Sequence, residues 1–138
     1  MLKFVSILSC VWLALTGIVP VSDAAQDDRV IVGDIQFTIE KNGTERVCFV
    51  LNRFCIPTIF SLEGSKPRIV IDIKDVSSWS GKSRIPASGI LIRQVRRYFH
   101  RDQNKLRIVL DLNPSMHYVA KPVYYEAEGL FCIAVGAE

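Results

Sequence analysis

The sequence predicts an all-β domain, either an antiparallel sandwich or a small barrel. Three observations predict it. Two near-identical stretches, Arg68–Ile73 (RIVIDI) and Arg107–Leu112 (RIVLDL), alternate Ile, Val and Leu between a leading Arg and an Asp at the fifth place. Such β-branched runs suit a pleated backbone and disfavour a helix. Turn-forming residues interrupt the chain at short intervals and mark up to eight strands. No stretch reads securely as a helix. In each copy of the repeat one face is wholly apolar (Ile69, Ile71, Ile73; Ile108, Leu110, Leu112), and the other sets Val70 or Val109 between two charges. That pattern belongs to a strand near the middle of a sheet, with ends that reach water or a charged partner. If the copies pair antiparallel, Arg68 stands opposite Asp111 and Asp72 opposite Arg107. Such cross-strand pairs contribute ~0.2–1 kcal/mol each and help set register.

The elements follow in order. Val30 to Ile39 reads as a first strand, with Ile35, Phe37 and Ile39 alternating against Asp34, Gln36, Thr38 and Glu40. Asn42-Gly43 then turns the chain, and both residues tolerate the positive φ of a type I′ hairpin. Arg46 to Asn52 is the second strand. Ile56 to Leu62 is the third, and Pro57 near its start marks a sheet edge. Glu63 to Pro67 turns into the first repeat. Asp75 to Gly89, rich in Ser and Gly, reads as a long irregular connection, with Trp79 as a lid over one end of the core. Ile90 to His100 is ambiguous. Ile92, Val95, Arg96 and Phe99 fit a helix, Leu91, Val95 and Phe99 share one face of a strand, and periodicity slightly favours the helix. Asn113-Pro114-Ser115 stops the second repeat. Tyr118 to Tyr125 is an edge strand limited by Pro122, and Leu130 to Val135 is the last strand.

The 138-residue chain carries a formal net charge of +3. Its start reads as a secretory signal peptide. Lys3 supplies the positive charge, Phe4 to Val19 the apolar run, and Ser22-Asp23-Ala24 the small residues a signal peptidase reads. The run is short for a membrane anchor, which takes ~20 residues. Cleavage is therefore expected after Ala24, with Ala25 as the alternative. Residues 25–29 would be a frayed end and 30–138 one domain. Removing Lys3 and Asp23 together leaves the net charge unchanged. A mild basic excess on an exported chain does not point to nucleic acid, and cleavage leaves no membrane span. Cys10 departs with the leader. Cys48, Cys55 and Cys132 remain, so at least one thiol is unpaired within the monomer. Cys48 and Cys55 would bridge if neighbouring strands bring them together. Otherwise all three are small buried apolar residues, as Cys132 within LFCIAV suggests.

The two repeats, the Pro67 before the first, the Ile92-Arg93-Gln94-Val95 step between them and the upstream Phe60-Ser61-Leu62 together resemble the AMIN domain. This is the amidase N-terminal domain of bacterial envelope proteins, and the resemblance runs from about Val30 to Val135. It implies a small β-sandwich of two antiparallel sheets, built here from two similar halves. It also implies a strand at Ile90 to His100, a periplasmic location and a non-catalytic targeting role. The expected ligand is peptidoglycan. The alternative is an adaptor that recruits an envelope protein of secretin or amidase type through an exposed sheet edge, for which Ile56 to Leu62 or Tyr118 to Tyr125 would serve.

No catalytic set is legible in the residues. His100 and His117 have no neighbours at metal-ligand spacing, and there is no GxSxG, phosphate loop or CxxC. The chain is therefore read as neither an enzyme nor a metal or cofactor binder. The one concentrated feature is basic. Arg93, Arg96, Arg97, Arg101, Lys105 and Arg107 lie close together, with Tyr98, Phe99 and His100 interleaved. On a strand, Arg96, Tyr98 and His100 share one face and Arg93, Arg97 and Arg101 the other. A buried unpaired Arg is costly, so one set must lie at an edge or beside acids. Arg93, Arg96, Arg97, Tyr98, His100 and Arg101 are the candidate ligand residues. The guanidinium forks match the carboxylates of stem peptides, and Tyr98 suits a sugar face.

Overall fold

The two repeat copies lie side by side and pair antiparallel. A computed structural model describes residues 27–138. The expected leader, its cleavage after Ala24 and residues 25–26 lie outside the described residues. In chain order the strands are β1 (Val30–Val32), β2 (Gln36–Ile39), β3 (Glu45–Val50), β4 (Thr58–Leu62), β5 (Arg68–Ile73), β6 (Val76–Trp79), β7 (Arg84–Pro86), β8 (Ile92–His100), β9 (Lys105–Leu112), β10 (Tyr118–Tyr125) and β11 (Leu130–Ala137). A five-stranded sheet runs β4-β5-β9-β8-β7 and a four-stranded sheet β10-β11-β3-β2, both antiparallel. A parallel pair, β1-β6, completes the fold.

The register of β5 on β9 sets Arg68 opposite Asp111 and Asp72 opposite Arg107. The apolar faces of both copies point inward. Ile69, Ile71, Ile73, Leu106, Ile108, Leu110 and Leu112 are buried there against Val47, Phe49, Phe131, Ile133 and Val135 of the other sheet. The rings of Phe49 and Phe131, cross-strand partners, sit 5.4 Å apart. The fold is thus an all-β sandwich. Burying two such faces is the dominant stabilising term. The β8–β9 and β10–β11 hairpins share one design, a 3-10 turn closed by a left-handed residue. That residue is Asn104 (φ 46°) in the first and Gly129 (φ 59°) in the second.

Glu45 is buried on the inner face of β3, and its carboxylate spans the two sheets. It accepts the backbone N–H groups of Ile90 (2.5 Å), Leu91 (2.8 Å) and Ile92 (2.6 Å). A side chain at Gly89 would collide with this carboxylate, so only glycine lets the loop approach. Glu45 thereby fixes where β8 begins.

Ile92–His100 is a strand, as the family resemblance implies, and pairing with β9 overrides the slight helical period of Ile90 to His100. Other sequence expectations are corrected. Val30 to Ile39 splits into β1 and β2, because the chain crosses from β6 to the four-stranded sheet at Gly33. The connection from Asp75 to Gly89 is not irregular throughout. It holds β6 and β7, edge strands that accommodate its serines and Pro86. Trp79 lies 4.3 Å, ring to ring, from Phe99 and covers that end of the sheet. The hairpin at Asn42-Gly43 forms, but only Gly43 has positive φ (85°). Glu40 pairs with Thr44 around a three-residue loop, a type I turn followed by a left-handed glycine.

The cysteines are corrected as well. Cys48 bonds Cys132, its cross-strand partner, and not Cys55, which is a free thiol. Sequence proximity is a poor guide here, since register brings Cys48 and Cys132 to a Cα separation of 4.1 Å. Burial pushes the Cys55 thiol up, against the pull of Arg53.

Candidate functional site

The outer face of the five-stranded sheet carries the charges. Its middle row runs Phe60, Val70, Val109, Arg96 and Arg84 across β4, β5, β9, β8 and β7. Val70 and Val109 are buried under their long neighbours. On one side of this row Arg107 grips Asp72 with two hydrogen bonds of 2.7 Å, and its guanidinium lies 5.7 Å over the Phe60 ring. Lys105 stands 3.5 Å from the same carboxylate. Hydrogen bonding from Arg107 holds the Asp72 carboxyl below the ordinary range, although burial opposes it.

On the other side the expected partnership differs. Asp111 faces Arg68 in register, yet its carboxylate is taken by β8. Arg96 donates to it at 2.5 and 2.7 Å, and Gln94 at 2.7 Å. Burial works against ionisation of Asp111, but the hydrogen bonds from Arg96 and Gln94 and the charges of Arg96 and Arg68 outweigh it, so its carboxyl is held low. The bond to Asp111 pushes the Arg96 guanidinium up. Arg96 also donates to the Tyr98 hydroxyl at 2.6 Å.

Arg68 is thereby left without a carboxylate, and it opens onto an 800 Å³ groove. Ser65, Lys66 and Pro67 wall the groove on one side and Arg84 and Pro86 of β7 on the other. Arg93, Gln94, Arg96 and Asp111 form its floor and end. Five cations therefore line it with one carboxylate, Asp111, already neutralised. Among the described residues, Lys66, Arg68, Arg84 and Arg93 make no ion pair.

The sequence candidates separate accordingly. Arg93 and Arg96 reach the groove. Arg93 does so because a register shift between Ile92 and Gln94 turns it out of the strand alternation. Tyr98, 44% exposed, continues the same face. Arg97 is not there. It points inward, is only 6% exposed, and donates to the carbonyls of Ser80 and Gly81. These carbonyls, with the nearby charge of Asp34, supply the partners that a buried guanidinium needs, and Arg97 pins the β6–β7 turn. His100 and Arg101 lie at the opposite end of β8, ~20 Å away at strand rise. Lys66, Arg68, Arg84 and Gln94 were not among the ligand candidates. Arg68 carried a visible signal, the leading Arg of the repeat, but was assigned to Asp111. Arg84 was hidden in the serine-rich stretch.

Among the described residues no group of three or more His, Cys, Asp or Glu could hold a metal ion, and no helix is long and apolar enough to cross a membrane. No curated protein matches the chain. The family model of the AMIN domain matches residues 34–131, which takes in both repeats, the groove floor and Glu45. The chain belongs to the AMIN domain family, non-catalytic domains of the cell envelope that occur in amidases and secretin-associated proteins.

Proposed function

We propose that this AMIN domain is a non-catalytic targeting module that docks on peptidoglycan through the basic groove. One observation carries the reading. Four cations, Lys66, Arg68, Arg84 and Arg93, converge on an open groove with no carboxylate left to neutralise them. A planar guanidinium fork binds a carboxylate in bidentate fashion, and stem peptides present carboxylates at regular intervals. Tyr98 and the Arg96 side chain stacked 5.6 Å from it extend the surface toward a sugar face. In this reading residues 1–24 direct export and are removed after Ala24, and residues 25–138 act in the periplasm without cofactor, nucleic acid or membrane span.

Co-sedimentation of residues 25–138 with purified sacculi tests it. The protein is expected in the pellet at low salt and in smaller amount at moderate salt, because exposed charges are screened beyond ~10 Å. Protein that stays in the supernatant at both salt concentrations would refute the wall-binding reading. The second reading, an adaptor for an envelope protein of secretin or amidase type, is favoured by one observation. Both strands named for it, β4 and β10, are sheet edges.

A further inference from the structure

The two larger sheets end in four edge strands, and they are not alike. β7 has three residues, including Arg84 and Pro86. β10 carries Lys121 and Pro122. β2, uncharged like β4 and with Ile39 exposed beside Gln36 and Thr38, is kept to four residues and is discouraged by its shortness alone. These are the usual means of discouraging edge pairing. β4 has none of them. Its five residues, TIFSL, hold no charge, Pro or Gly, and Phe60 (37%) and Leu62 (38%) are exposed.

The hydrogen-bond alternation shows which groups β4 leaves free. Leu112 donates to the Pro67 carbonyl, so residues 67, 69, 71 and 73 bond toward β9, and Arg68, Val70 and Asp72 bond toward β4. Their partners Leu62, Phe60 and Thr58 are thereby satisfied. Ile59 and Ser61 aim both N–H and C=O at the open edge, and among the described residues no group meets them.

We infer that β4 pairs with β4 of a second copy, antiparallel about a two-fold axis through Phe60. This register is dictated by the free groups. Ile59 of each copy must face Ser61 of the other, which makes four backbone hydrogen bonds and leaves none of these groups unmet. The two Phe60 residues then form a close, non-hydrogen-bonded pair, and each Leu62 lies beside Thr58 of the second copy. No charge meets a like charge along the strand, because β4 has none. The strand is thus complementary to itself. An isologous contact of this kind closes at two copies. The axis is perpendicular to the sheet, so the outer faces of both copies look the same way. The two basic grooves then lie on one surface of a continuous ten-stranded sheet, a bivalent arrangement suited to a repeating polymer. That last consequence rests on the wall-binding reading, whereas the pairing itself does not.

The test is cross-linking and sedimentation of residues 25–138 carrying Cys55→Ser, with no sacculi present. In the proposed register Phe60→Cys places two sulfurs across a pair ~4.5 Å apart at Cα, within disulfide reach. Thr58→Cys places them several residues apart. Under mild oxidation F60C is expected to form covalent dimer roughly tenfold faster than T58C. Ser61→Pro removes an N–H that makes no bond within the chain, so the variant folds, and it is expected to sediment as a monomer where the parent shows concentration-dependent dimer. Equal rates for F60C and T58C, a dimer that survives S61P, or a parent that stays monomeric without F60C cross-linking would each overturn the proposal. The last would leave β4 to a strand from a different protein. A dimer that forms but does not pellet with sacculi would refute the wall reading alone.

Discussion

At the scale of single residues, carboxylates organise this domain more than the arginines do. Asp72 and Asp111 each hold a guanidinium flat on the outer face, and Glu45 holds a loop from inside. The folded-state pKa values of Asp72 and Asp111 are both depressed. Their contribution is therefore fully present above the ordinary carboxylate value near ~4 and is lost as pH falls through the lower folded values. Acid titration of stability should show a decline on that side, and Asp72→Asn should flatten it while costing about 1 kcal/mol at neutral pH. A variant with the parent's acid profile would show that the Asp72–Arg107 pair contributes nothing to it. Glu45→Gln turns one acceptor into a donor facing buried N–H groups. Its urea midpoint should fall by an amount equivalent to a loss on the order of 3 kcal/mol. The residue scale is also where the sequence was least informative. Glu45 sits at the start of a strand with no neighbour in sequence to reveal a partner 45 residues on. Arg97 and Arg93 read alike as basic strand residues, yet a bulge sends one to solvent and the alternation sends the other inside. A register shift of that kind depends on loop length and packing, which composition does not encode.

At the scale of elements the repeat was legible because β-strands carry their burial in alternation. Ile69, Ile71 and Ile73 had to face a core, and they do. Periodicity alone left Ile90 to His100 ambiguous because Phe99 and Val95 satisfy both templates; the family resemblance implied the strand, and pairing with β9 makes it one. β6 and β7 were missed since edge strands need little apolar sequence of their own. The disulfide belongs to this scale, because it staples β3 to β11 across 84 residues of sequence. Oxidised residues 25–138, unfolded without reductant, should show one free thiol per chain, at Cys55. Reduction, or Cys132→Ser, should lower stability by up to about 4.5 kcal/mol in the chain-entropy account. A free thiol mapped to Cys48 or Cys132 instead would contradict the pairing.

At the scale of the whole molecule, the sandwich separates its tasks. The inner faces and the Glu45 clasp hold the two sheets together. The outer face of the larger sheet is left to charge. Asp72 and Asp111 neutralise Arg107 and Arg96 there, and Lys66, Arg68, Arg84 and Arg93 stay available at one end. In the proposed function, the ligand brings the anions that these cations lack. The site was half legible in the sequence. The basic segment was visible, but only folding shows that its two ends lie far apart and that Arg68 and Arg84 complete one of them.

The most direct measurement compares Arg68→Ala/Arg93→Ala with Arg101→Ala in co-sedimentation with sacculi at low salt. Each replaced side chain is solvent-accessible and none makes an ion pair among the described residues, so the variants keep the fold. The groove double variant is expected to lose roughly tenfold or more in binding, for two charge-assisted contacts, while Arg101→Ala binds as the parent does. A double variant that pellets like the parent, or an Arg101→Ala variant that loses binding instead, would contradict the assignment of the groove as the wall-binding site.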